Sequence, residues 1–258
     1  MARPADPLAR EALIGTARAE FARRGLRGAR IEDITAACGL SKGAFYLHFP
    51  TKESLFGELV DAFLEEMERC FTARTEMMER FAAEHGAIEA ADVARRSPRY
   101  RALLSQELGL DHRMLEAMWT FRDVFGVLVS GCQGTPFERT VWEISEREVQ
   151  RVSAEFRGEQ AKGACRSDVA PEMFGTLIVG TYLLLAQRMS TLPEKPDLLQ
   201  WAASIQTLAR DGTAPARSLQ TRGAALPAPR RLSEAQAARK TRRSQAGANR
   251  SNSSRSTP

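Results

Sequence analysis

Histidine and cysteine are scarce in this chain of 258 residues, and the few present are scattered. His48, His85 and His112 lie far apart, and His48 has no second histidine or acid at metal-ligand spacing. Cys38, Cys70, Cys132 and Cys165 follow no recurring interval, so neither a disulfide framework nor a zinc site is expected. Reduced thiols in a cytoplasmic chain fit that usage best. There is no Gly-rich phosphate loop, no paired His-Glu metal motif and no strand-to-helix nucleophile elbow. An all-helical enzyme fares poorly on that ground. No catalytic residue, metal or cofactor is expected, and the chain reads as a non-enzyme.

Long apolar runs are also missing. The longest uncharged stretch, Met173 to Gln187, contains Gly175, Thr176, Gly180, Thr181 and Gln187. It falls short of the roughly 20 apolar residues that cross a bilayer and reads as a buried helix. Met1 to Arg10 has no apolar core of signal-peptide type, and no membrane partner is expected.

Charge is present but unevenly spread. The net charge is +5. Residues 211–258 hold ten Lys/Arg against Asp211 and Glu234, or +8, while residues 1–56 carry +3 and residues 57–210 carry −6. A basic head, an acidic middle and a basic tail point to a polyanion partner for the ends only. After Arg210 the composition turns to Ala, Arg, Ser, Pro, Gly, Gln and Thr, which cannot bury enough surface to offset chain entropy. That tail is expected to be disordered, either threading along phosphates or serving as a solubilising extension.

Glycine and proline are sparse before residue 210, and helical spacing runs throughout. Leu13, Ile14, Ala17 and Phe21 share one face of a first helix that Gly25 stops. Ile31, Ile34 and Ala37 to Cys38 mark a second, ending at Gly39. Ser41 caps a third, which halts before Pro50. Thr51 caps a longer fourth through Leu55, Leu59, Phe63, Met67 and Phe71. Further helices are expected over 75–90, 97–109, 112–132, 137–162, 169–191 and 195–210, with Gly109 among the breaks.

Two short helices joined by "CGLS" and braced by a preceding helix form a helix-turn-helix over about residues 31–49. The second of such a pair enters a major groove. Here it is "SKGAFYLHF". Phe45 and Phe49, four apart, bury against the first helices. Gly43 and Ala44 are small enough to let the backbone come close to a duplex, and Lys42, Tyr46, His48 and Lys52 are phosphate-type donors. Taken singly, a lysine or histidine of this kind is more often solvated surface or a structural residue.

From "ALIGTARAEFARRG" through "IEDITAACGLSKGAFYLHFPTKESLF", about residues 8–60, the sequence resembles the DNA-binding domain of the tetracycline-repressor (TetR) family of transcriptional regulators. The resemblance implies an all-α protein. Residues 8–67 would be a three-helix DNA-binding domain, residues 68–210 a larger helical ligand-binding and dimerisation domain, and residues 211–258 the tail. It also implies that Ser41 caps its helix and meets a phosphate, and that Lys42 and Ala44 face the groove floor. Tyr46, His48 and Lys52 would hold phosphates, and Thr35 would approach the DNA backbone. One departure stands out: Ala29 and Arg30 replace the usual Thr or Ser cap of the second helix, and Arg30 would reach a phosphate instead.

The apolar helix Met173–Met189 and the stripe of Leu198, Trp201, Ile205 and Leu208 would form a four-helix bundle between two copies, with Phe174, Leu177 and Tyr182 also at the interface. The helices that enclose ligands in the family carry Met114, Met118, Trp119, Phe121, Phe125, Trp142 and Phe174. These either line an effector pocket or are ordinary core. Arg122, beside Asp123, either orients a polar ligand or joins an exposed pair. The expected partners are double-stranded operator DNA, a second copy of the chain and a largely apolar small-molecule effector, with repression as the output. The alternative is a helical adaptor that binds other proteins, which would not need the donors from Lys42 to Lys52.

Overall fold

The computed structural model describes residues 6–214, which form ten α-helices and no strand. The head is α1 (Pro7–Gly28), α2 (Ile31–Ala37) and α3 (Lys42–His48). The body is α4 (Lys52–His85), α5 (Ala90–Arg95), α6 (Pro98–Thr120), α7 (Arg122–Ser130), α8 (Thr140–Ala161), α9 (Pro171–Met189) and α10 (Leu198–Thr213). The fold is all-α, with an N-terminal helix-turn-helix and a larger helical body. Among the described residues no helix is long and apolar enough to cross a membrane. The basic tail lies outside the described residues from position 215 on, and α10 continues through Thr213, past the expected boundary at Arg210.

Local chemistry accounts for most helix ends. Asp6 accepts from the Leu8 amide and Ser41 from the Ala44 amide, while Thr51 and Ser54 form a reciprocal cap at the start of α4. Each satisfies amides that the first turn would otherwise leave bare. Arg30 makes no side-chain cap at α2, as its residue type dictates.

Three helix boundaries differ from expectation. α4 runs unbroken past Phe71, because its stripe of Leu59, Phe63 and Met67 continues through Cys70, Met77 and Phe81 with no Gly or Pro after Gly57. Gly109 does not break α6: it is exposed, and a lone mid-helix glycine costs only about 1 kcal/mol. The break falls instead at Phe121, where the Arg122 guanidinium satisfies the Trp119 carbonyl at 3.0 Å. The short α5 was not expected and is started by the Glu89–Asp92 capping box.

One core runs through head and body. Leu13, Phe21, Ile34, Phe45 and Phe49 of the head share a cluster with Leu55, Phe56 and Phe63 of α4 and with Val124, Phe125 and Leu128 of α7. Gly25 closes this junction with φ 69° and ψ 169°, a region that essentially only glycine occupies. The Leu26 amide that follows donates to the Gly131 carbonyl at 3.0 Å. A Cβ on Gly131 would stand 3.0 Å from the Gly25 Cα, so the two segments meet backbone to backbone. The same device joins α8 and α9, where a Cβ on Gly175 would strike the Ser153 hydroxyl.

Candidate nucleic-acid interface

The α3 helix stands on two buried rings. Phe45 and Phe49 are fully enclosed, their centroids 5.7 Å apart, and the Arg10 guanidinium lies over the Phe49 ring at 5.1 Å. With those rings facing inward, the intervening side chains must face out. Tyr46 is 50% exposed and Leu47 64% exposed, large values for apolar residues in an ordered helix. Tyr46 is held edge-on against Phe45, with 5.5 Å between centroids. A Cβ on Gly43 would meet only the Ser41 hydroxyl at 3.7 Å, so nothing inside the fold requires a glycine there. The small residue keeps the outward approach open.

Beside α3 lies a groove of about 420 Å³ that includes Arg27, Arg30, Lys42 and Lys52, with Glu32 as its only carboxylate. Lys42 donates to Glu32 at 2.5 Å across the turn between α2 and α3. Lys42 holds the Glu32 carboxyl below its ordinary pKa, and Glu32 holds the ammonium above its own, so both stay charged. Lys52 donates to the Arg27 and Ala29 carbonyls, both at 2.9 Å. It thereby closes the C-terminal end of α1 and keeps one N–H for another acceptor. Arg30 is exposed at the groove edge, and His48 is half-buried in the last turn of α3.

The structure brings Arg30, Lys42 and Lys52 together in the groove, and sets Ser41, Gly43, Ala44, Tyr46 and His48 along the adjoining helix. Thr35 is a correction. It is 3% exposed, and its hydroxyl donates within α2 to the Ile31 and Glu32 carbonyls, so it presents nothing outward. Two neighbours escaped the sequence reading. Leu47 was legible, because inward Phe45 and Phe49 force it outward. Glu32 was not, because ten residues and a turn separate it from Lys42.

The body places the other expected sites differently. Met114 and Phe125 are buried in the shared core, Met118 and Phe121 pack against it, and Trp119 joins the cluster around Leu115 and Met189. Phe174 stacks on Phe156 at 4.1 Å. Trp142 is a correction: it sits in the first turn of α8, 67% exposed, and encloses nothing. Arg122 lies over the Trp119 ring at 4.1 Å, and Asp123 pairs with Arg18 of α1.

Among the expected interface residues, Leu177 is exposed and Tyr182 half-buried, whereas Leu198 is a correction. Leu198 is 2% exposed against Leu115 and Met189, and Tyr182 packs between the two clusters beside Asp111. Burial, then the Asp111 charge, pushes the Tyr182 hydroxyl well above its ordinary pKa. Trp201 and Ile205 also pack inward, toward α6. The exposed apolar face of α9 is Met173, Leu177 and Leu184, at helical spacing. Among the described residues no group of three or more His, Cys, Asp or Glu side chains is placed to hold a metal ion.

A family profile described as "Bacterial regulatory proteins, tetR family" matches residues 13–59, which span α1 to the start of α4. The likeness to the TetR family therefore rests on the N-terminal head, residues 13–59. Similar curated proteins include the HTH-type transcriptional repressor DhaR of Mycobacterium sp. (strain GP1), 38% identical over 56 residues. Another is the HTH-type transcriptional repressor KstR2 of Rhodococcus jostii (strain RHA1), 40% identical over 58 residues. Each match covers 22% of this chain and 28% of the relative, so the likeness is one of heads. Among solved structures, the ketosteroid transcriptional regulator KstR2 of Mycobacterium tuberculosis aligns over 82% of this chain and 99% of its own, with a TM-score of 0.58 and 19% identity. At that identity the likeness of the body is one of fold alone.

Proposed function

We propose that the protein is a DNA-binding transcriptional regulator that represses from a palindromic operator as a homodimer and responds to a small-molecule effector. The observation that carries the reading is the placement of α3. Its inner face is locked by Phe45 and Phe49, while Tyr46 and Leu47 stand in solvent beside a basic groove. A soluble helix gains nothing by exposing those two side chains unless a partner covers them.

The mode of binding follows from the chemistry. Ser41, Tyr46, Lys52, Arg30 and His48 fix the head on phosphates, while Lys42, Gly43 and Ala44 lie nearest the groove floor. One short helix reads few base pairs, so two copies must place their α3 helices about 34–36 Å apart on successive major-groove faces. The exposed face of Met173, Leu177 and Leu184 is the surface on which the second copy would dock, and Leu199 and Leu208 of α10 are exposed as well. Repression is the output in the names of the DhaR and KstR2 relatives and is carried here as part of the proposal. An effector that prefers one spacing of the two heads would shift the population on or off DNA.

The test is fluorescence anisotropy with duplexes drawn from the DNA upstream of the chain's own coding sequence. Wild type should bind a discrete duplex, and Tyr46→Ala and Lys42→Ala should each weaken that binding. A wild-type protein that binds none of them at low salt would remove the regulator reading in favour of a protein-binding adaptor.

A further inference from the structure

A larger open space than the DNA-facing groove lies elsewhere among the described residues, away from the expected pocket aromatics. It is a cleft of about 880 Å³ between the last turns of α1, the length of α7 and the C-terminal end of α9. Of the expected pocket residues only Arg122 lines it.

Four arginines, Arg23, Arg24, Arg27 and Arg122, face the cleft against one carboxylate, Asp123. That carboxylate is already held by two N–H donors from Arg18, at 2.7 and 2.6 Å. Arg23 and Arg24 share Glu20. Neither Arg27 nor Arg122 pairs with a carboxylate among the described residues. Arg27 belongs to the head and Arg122 to the body, so arginines from both sides of the seam line one cleft. Phe21, Val127 and Leu192 supply apolar lining. The side-chain oxygen of Gln187, also in the lining, is buried without a hydrogen-bond donor. A buried acceptor left bare costs about as much as a lost hydrogen bond, so the site asks for a donor as well as an anion.

We propose that this cleft binds a small organic anion carrying an apolar body and a hydrogen-bond donor, bridging Arg27 of the head to Arg122 of the body. Planar guanidinium forks suit carboxylate and phosphate oxygens alike. An occupant that touches both sides fixes the angle of the head against α7 next to the Gly25–Gly131 contact. The cleft is thus the effector site of the regulator proposed above and rests on that reading for its role, though not for its binding chemistry. By linkage, any factor by which the occupant changes DNA affinity returns as the same factor in its own affinity.

The test is isothermal titration of the full chain, without DNA, with 4-hydroxyphenylacetate, 4-hydroxyphenyl phosphate and the neutral 4-hydroxyphenylacetamide. Saturable binding of at least one anion and none of the amide is expected, and the better anion decides between carboxylate and phosphate chemistry. Arg27→Gln and Arg122→Gln should each weaken it about tenfold, the usual worth of one charge-assisted contact. Thr191→Glu, at an exposed wall residue that threatens no packing, should weaken it too. No saturable heat from either anion at millimolar concentration, or binding that Arg27→Gln and Thr191→Glu leave unchanged, overturns the assignment. DNA binding is read separately by anisotropy. A protein that binds the anion and no DNA keeps the site and loses the regulator reading, and the converse result does the opposite.

Discussion

Arg18 of α1 and Asp123 of α7 form a two-pronged pair, Nε to Oδ2 at 2.7 Å and a terminal N–H to Oδ1 at 2.6 Å. The same guanidinium reaches the Thr120 carbonyl at 2.7 Å, so one side chain ties the head to the break between α6 and α7. Burial alone would raise the Asp123 carboxyl. The hydrogen bonds and charge of Arg18, together with backbone amides at Val124 and Asp123, outweigh it and leave the pKa below its ordinary value. Asp123→Asn should cost about 1–2 kcal/mol, since the pair is partly shielded and only one partner loses its charge. In calorimetry that corresponds to a fall of about 2–4 °C in the unfolding midpoint for each kcal/mol. An unchanged midpoint would mean that the pair is solvent-screened and does not hold the seam.

The glycine at the seam separates two kinds of glycine in one chain. Gly25→Ala places a side chain at φ 69° and ψ 169°, with its Cβ 3.1 Å from the Gly131 carbonyl oxygen. It should destabilise by about 1–3 kcal/mol in urea unfolding. Gly109→Ala, exposed in the middle of α6 with no atom within 4 Å of the new Cβ, should stabilise by about 0.5–1 kcal/mol. Equal effects at the two sites would contradict the close backbone contact.

The Lys42–Glu32 pair competes with DNA for the same ammonium. Glu32→Gln should leave the unfolding midpoint unchanged and raise duplex affinity several-fold at low salt. Arg30→Ala, at an exposed residue assigned to a phosphate, should reduce the log–log salt slope by about 0.9, the share of one phosphate contact. Anisotropy across a salt series checks both. A Glu32→Gln protein of wild-type affinity would show that the pair opens at no cost to binding.

Asp92 gives the pH dependence. Hydrogen bonds from Arg99 first, then from the Glu89 amide and Ser97, push its carboxyl down to about 2. Its folded pKa is depressed, so its contribution to the α5 cap is fully present above the unfolded value of about 3.9. That contribution is lost as pH falls through about 2. Carboxyl-carbon NMR should show Asp92 titrating near pH 2 in wild type and closer to its ordinary value in Arg99→Gln. A midpoint that does not move with Arg99 would assign the shift to the capping amide.

The exposed α9 face predicts the assembly. Leu184→Glu and Leu177→Glu put charges at positions 70% and 62% exposed in the single chain, so neither should disturb its helix content. Each should convert a dimer to monomer in analytical ultracentrifugation. Wild type sedimenting as a monomer at micromolar concentration would discard this surface.

The head was legible because its signals are local. Ser41 and Thr51 announce their own helices, Gly25 its stop, and Phe45 and Phe49 the inward face of α3. What escaped the sequence depends on partners distant along the chain. A donor type at Thr35 does not reveal that its hydroxyl is spent inside α2. The apolar stripe of Leu198, Trp201 and Ile205 does not say whether α6 or a second copy covers it. The Arg-lined cleft was illegible for the same reason, since Arg27, Arg122 and Gln187 have no common spacing.

The shared core also bears on whether heads of this kind are interchangeable. A cut after Met67 would fall in the middle of α4 and would strip Phe21, Phe45 and Phe56 of the Val124, Phe125 and Leu128 side chains that complete their cluster. A head grafted from another protein would need its own counterparts of Gly25 facing Gly131 and of Arg18 facing Asp123. Swapping residues 8–67 alone would therefore transplant the DNA-facing surface without its footing.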